Sequence, residues 1–168
     1  MELKEGKEKF IQAWGAQGPS WGISKTMAQV HALLMLSPQP MNADQVMEEL
    51  GIARGNAHLS IHSLIDMGLV YKRNLKGERK GYFEAEKDVW EIARHIMEYR
   101  RIKELDPMLK VLADVKKVKG SKRDAEVKEF REVTENIEKF AKKADNMLDR
   151  ISNADEHWFL GPFMKLMR

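Results

Sequence analysis

The sequence predicts a mainly α-helical fold carrying one small β-hairpin. Three observations lead there. Apolar residues recur at threes and fours over most of the 168-residue chain. One stretch, Leu69 to Ala85, changes to strand-like residues on either side of Lys76-Gly77-Glu78. The longest periodic run, Arg123 to Ile151, comes late and sustains a heptad-like stripe. The order helix, tight turn, helix, hairpin over Met41 to Glu86 is that of a winged helix-turn-helix, with long C-terminal helices suited to dimerisation. Two domains are expected. Residues 1–87 form N-terminal helices and the winged helix-turn-helix, and residues 88–168 form a helical dimerisation arm with an apolar tail.

Composition narrows the function. The chain is 43% hydrophobic and 33% charged, and it has no cysteine, so disulfides, thiol catalysis and cysteine-ligated metals are excluded. The start, MELKEGKEKF, lacks an apolar signal core, and no apolar run reaches a membrane-spanning length. A cytoplasmic protein without a membrane partner is expected. The formal net charge is +3, and residues 51–80 hold six Lys/Arg against two Asp/Glu. The excess positive charge therefore sits in one place, the second helix and the hairpin.

The elements follow in order. Leu3 to about Ala16 reads as a helix with Leu3, Phe10 and Trp14 as a partial stripe, broken by Gly15, Gly18 and Pro19. Ser24 can cap the next helix, whose stripe is Met27, Val30, His31, Leu34 and Met35, and two prolines, Pro38 and Pro40, end it. His31 on that face reads as a core histidine rather than a metal ligand. Asn42 and Gln45 suit a capping box, Val46 and Leu50 share a face, and Gly51 stops the helix. The second helix, Arg54 to Met67, turns Ala57, Ile61, Leu64 and Ile65 inward, with Asn56, His58, Leu59, His62, Ser63 and Asp66 outward. Gly68 ends it, Leu69 to Leu75 alternates apolar with basic residues, and Arg79 to Ala85 returns. Asp88 can cap a helix through Val89, Trp90, Ala93, Ile96 and Met97, which Pro107 should kink or break, starting another helical run. In the last helix Val127, Phe130, Thr134, Ile137, Ala141, Ala144, Leu148 and Ile151 form the stripe. It fits packing against a second subunit or within the chain. The tail, His157 to Met167, is apolar and is expected to dock on the N-terminal helix, within or between subunits.

This arrangement points to double-stranded DNA as partner. The second helix has a polar, nearly uncharged outer face, which suits base edges better than plain solvation. Asn56, His58, Ser60, His62 and Ser63 are candidate base readers. Arg54, Lys72, Arg73, Lys76, Arg79 and Lys80 are candidates to hold phosphates or enter the minor groove. The alternative is a winged-helix module that binds protein, which would need an apolar outer face and no dependence on the wing charges. No Gly-rich phosphate loop, metal-ligand cluster or nucleophile motif occurs, so no catalytic residue, metal or cofactor is expected. His58 and His62 stand i, i+4 but lack an evident third ligand.

Trp21-Gly22, the Pro-terminated helix, the run LGIARGNAHLSIHSLIDMGLV and the run GERKGYFEAEKDVW carry a resemblance. They resemble the GbsR branch of the MarR-type transcriptional regulators, over roughly Trp21 to Pro107. The resemblance implies a homodimeric repressor, mostly helical, with one winged helix per subunit. It places Asn56 and its neighbours on the recognition helix and Lys76 to Lys80 in the wing. Ala53 stands where that family usually has a serine N-cap. Some relatives respond to choline or related osmolytes, so a small-molecule effector is a further implied partner. A quaternary ammonium needs an aromatic cage, for which Trp14, Trp21, Trp90 and Tyr99 are candidate walls, although ordinary core packing is the favoured reading.

Overall fold

The computed structural model describes residues 1–121 and 124–152, and the expected apolar tail lies outside them. The chain divides into two compact units, Met1–His95 and a second that begins at Ile96.

In the first unit, α1 (Leu3–Gln17) leads through a single 3-10 turn (Gly18–Trp21) to α2 (Lys25–Leu36). Ser24 caps α2, its hydroxyl accepting the Met27 N–H at 3.1 Å. A two-residue strand β1 (Met41–Asn42) precedes α3 (Ala43–Leu50), and α4 (Arg54–Asp66) follows after three residues. The strands β2 (Val70–Arg73) and β3 (Tyr82–Ala85) form the wing. The sheet is antiparallel in the order β1-β3-β2, with Met41 opposite Phe83 and Val70 opposite Ala85. Helix α2 is the centre, packed by α1, α3, α4 and β3.

That enclosure explains one departure from the expected pattern. A single stripe was expected on α2, yet Met27, Ala28, Val30, His31, Ala32, Leu33 and Leu34 are all buried. A helix covered on nearly every side has no polar face to keep. On α1 the reverse holds. Leu3 and Phe10 are exposed, and the buried residues are Ile11 and Gly15. Gly15 is there because Gln29 of α2 crosses so closely that a β-carbon would collide with it. The rest of this unit's core is Val46, Ala57, Ile61, Leu64, Met67, Leu69, Val70, Phe83, Ala85 and Ile92. Each large side chain in it contributes about 1.5–3 kcal/mol by leaving water.

The hairpin also differs from expectation. Its strands are shorter than predicted, and β2 does not alternate. Val70 is buried, while Lys72 and Arg73 are both exposed. The strand leaves the core and projects, so its outer residues have nothing to be buried against. Strand β3 does alternate, with Phe83 and Ala85 inward.

Helix α5 (Val89–Arg100) starts on Asp88, whose carboxylate accepts the N–H groups of Trp90 and Glu91 at 2.8 and 3.3 Å. In the second unit, a new helical run starts beside Pro107 as expected, with no gap in the helical course before it. A π-helical turn (Arg101–Leu105) runs into α6 (Asp106–Val115), with Pro107 in the first turn of α6, where its missing N–H has no partner to lose. Arg101 in the π turn binds Asp145 at 2.7 Å and Glu98 at 3.1 Å. Helix α7 (Ala125–Ser152) packs on α6 within the chain. Glu138, buried in α7, is bound by Lys116 of α6 and by Lys142 at 2.8 Å, and both ammonium groups hold its carboxyl below the usual range. No described helix is long and apolar enough to cross a membrane.

Candidate nucleic-acid interface

The site is built from three pieces, and local sequence sets each one. Helix α3 begins with a complete capping box. Asn42 Oδ1 accepts the Gln45 N–H at 3.1 Å, and Gln45 Oε1 accepts the Asn42 N–H at 2.8 Å. It ends at Gly51, whose φ of 62° is the left-handed conformation that a helix stop uses. Three residues later α4 starts at Arg54, and its N-cap, Ala53, makes no side-chain hydrogen bond. Gly68 then turns the chain into the wing. Its φ is 73°, and the His95 ring occupies the place a β-carbon would take.

On α4 the inward set is Ala57, Ser60, Ile61 and Leu64. Ser60 was expected to read bases, but it is 5% exposed and faces the core, so it leaves the candidate set. Asn56, His58 and His62 are exposed, and Ser63 is half-buried. The two histidine rings stack with centroids 6.4 Å apart. Among the described residues no group of three or more His, Cys, Asp or Glu is arranged to hold a metal ion. Leu59, 70% exposed, stands among these polar residues as a large apolar side chain open to solvent.

The six cations fall into two groups. Arg73 binds Glu84 across the strands at 2.8 Å and lies over the Tyr71 ring. Lys80 binds Asp44 of α3 at 2.8 Å, and Arg54 reaches the same carboxylate at 3.5 Å. Lys72, Lys76 and Arg79 are exposed and have no carboxylate partner among the described residues. Asp44 is the residue sequence reading missed. It lies 36 positions from Lys80, and no local pattern links the two.

Two of the four aromatic candidates meet. Trp14 meets Trp21 with centroids 4.8 Å apart, and Phe10 and His31 lie beside Trp14 at 5.3 and 6.4 Å. Trp90 and Tyr99 lie on α5, where Tyr99 already carries Lys103 of its own chain over its ring.

A short helix, a three-residue turn, a second helix and an antiparallel wing together define a winged-helix fold of the kind found in transcriptional regulators. Residues 20–88 match the family described as the sugar-specific transcriptional regulator TrmB. The chain is also similar to YvaV of Bacillus subtilis, described as an HTH-type transcriptional regulator, at 20% identity over 89 residues, 53% of this chain and 50% of that protein. It thus spans about half the length of the curated relative it matches. A solved structure described as a transcriptional regulator has a TM-score of 0.59 at 16% identity, covering 86% of this chain and 99% of the other. At that identity the likeness establishes the fold. The adhesin competence repressor AdcR of Streptococcus pyogenes has a TM-score of 0.37 at 17% identity over the same shares, too low to bear on the question.

Proposed function

We propose that the chain is a sequence-specific DNA-binding transcriptional regulator that works as a homodimer and represses by occupying its operator. The observation that carries this reading is the union of one polar helix face with three wing cations that no carboxylate holds among the described residues. Asn56, His58 and His62 are exposed on α4, and Lys72, Lys76 and Arg79 are exposed on the wing. Free cations of this kind supply sequence-independent affinity, and the helix face supplies base contacts. The same residues favour DNA over a protein partner, because Leu59 alone interrupts the polar outer face.

The residues from 88 onward act in this reading as the dimerisation arm. Its support is the exposed side of α7, where Phe130, Val133, Ile137, Phe140 and Met147 keep heptad spacing. Assignment to the GbsR branch rests on the motifs quoted above, and the match to the TrmB family supports the broader regulator class. A small-molecule effector would act by changing the separation of the two recognition helices.

Selection from a randomised duplex pool tests the proposal. The expected product is a near-palindromic motif whose half-sites lie about one helical turn apart, roughly 34 Å or a multiple. Asn56→Ala should lose preference at one base pair in each half-site, worth about 1–3 kcal/mol. A pool that returns no motif rules out specific recognition.

A further inference from the structure

We propose that Asp44 is an internal competitor for DNA phosphate: it holds Arg54 and Lys80 in the free protein and releases them to the duplex on binding. This inference rests on the DNA-binding reading above and deepens it.

The geometry is specific. One carboxylate of α3 engages cations from two other elements of the interface. Lys80 of the wing loop donates to Oδ2 at 2.8 Å, and Arg54 at the start of α4 lies 3.5 Å from Oδ1. The three side chains are 50%, 72% and 60% exposed for Asp44, Arg54 and Lys80, so a phosphate can reach all of them. The Lys80 hydrogen bond, followed by its charge, holds the Asp44 carboxyl below the usual carboxylate range, and nearby Arg54 and His58 act the same way. Asp44 is thus ionised at neutral pH.

An exposed ion pair of this kind is weak, so exchanging it for a phosphate costs little. A phosphate that approaches either cation nevertheless meets a negative charge beside it. Lys72, Lys76 and Arg79 need no such exchange, because no carboxylate holds them among the described residues. Of the six interface cations, three are thus always available, Arg54 and Lys80 are conditional on Asp44, and Arg73 is held by Glu84. The device weakens binding to any duplex alike and leaves base reading on α4 untouched. It shortens retention on random DNA without changing the ratio of specific to random affinity.

The test measures binding of a fluorescent 24-base-pair duplex of random sequence, about 24 pairs being enough for two half-sites, over a range of salt concentrations. The variants are Asp44→Asn, Asp44→Ala, Lys80→Ala, Arg79→Ala and Asp44→Asn with Lys80→Ala. Asp44 stays beside the phosphates in the complex and offsets about one cation there, so removing its charge steepens the log–log salt slope by up to about 0.9. Asp44→Asn should therefore bind roughly two- to five-fold tighter at low salt, with that steeper slope. Lys80→Ala should cost more affinity in the Asp44→Asn background than alone. Asp44 also sits in the first turn of α3, where the helix dipole favours a carboxylate, and the melting temperature reports that role separately. The salt slope does not respond to a purely structural role. Asp44→Ala stands in if the Asn variant folds poorly. Unchanged or weaker binding by both Asp44 variants, with Arg79→Ala weakening binding as expected, overturns this inference and leaves the DNA-binding reading intact. Absence of salt-dependent binding by the unmodified protein overturns both.

Discussion

His31 is 3% exposed, and desolvation alone lowers its pKa to about 4 from the ordinary 6.5. Its Nε2 and the neighbouring Trp14 Nε1 have no hydrogen-bond partner among the described residues. The folded state keeps this histidine neutral where the unfolded chain takes up a proton. Its stabilising contribution is complete above pH 6.5 and is lost as pH falls toward about 4, by about 3 kcal/mol in all. Urea unfolding at pH 7 and pH 4.5 checks this, with His31→Leu expected to lose less stability on acidification than the unmodified protein. A second prediction concerns the capping box: Asn42→Ala should destabilise by about 1 kcal/mol, read as a lower urea midpoint. At this scale legibility depended on how local the cause was. The caps at Ser24, Asn42 and Asp88 were readable because donor and acceptor lie within three residues. Ser60 was misread because its chemistry suggested an exposed reader, although its spacing from Ala57 and Leu64 already put it on the buried stripe.

Among the elements, the helices were legible and the sheet only in part. Strand β1 has two residues and exists through β3, about forty positions away, so no window of sequence contains its cause. The wing's outer pairings are similarly invisible. Arg73–Glu84 and Lys80–Asp44 divide six apparently equal cations into held and free ones. The two groups should behave differently. Arg79→Ala should lower affinity for all duplexes and reduce the salt slope by about 0.9, whereas Arg73→Ala should change both less, because Glu84 already neutralises it. On α7 the expected stripe splits. Ala141 is buried, in the helix that packs on α6, while Phe130 and Ile137 join Val133, Phe140 and Met147 on an exposed face. The periodicity marked an apolar helix but could not say that it had two apolar sides. Phe140, 74% exposed, is the sharpest probe of the second side. Phe140→Glu should shift the protein from dimer to monomer in sedimentation velocity while leaving its helical circular dichroism unchanged.

For the whole molecule, the sequence motifs and the family match point to one region of the chain by separate routes. The motifs around α4 and the wing resemble one branch of such regulators, and the family match covers residues 20–88, the same region. In the proposed dimer, pairing two winged helices would multiply the loose DNA affinity of each through effective concentration. Loss of the dimer should therefore cost far more affinity than loss of any one cation. The central claim is that the exposed face of α4 and the free wing cations grip one duplex. Fluorescence anisotropy with the selected motif and with random DNA, each titrated across salt, tests it most directly. The account predicts tighter binding to the motif, a steep loss of affinity with salt on both duplexes, and a motif preference that Asn56→Ala reduces and Arg79→Ala preserves. Equal binding to both duplexes with a flat salt response would contradict it.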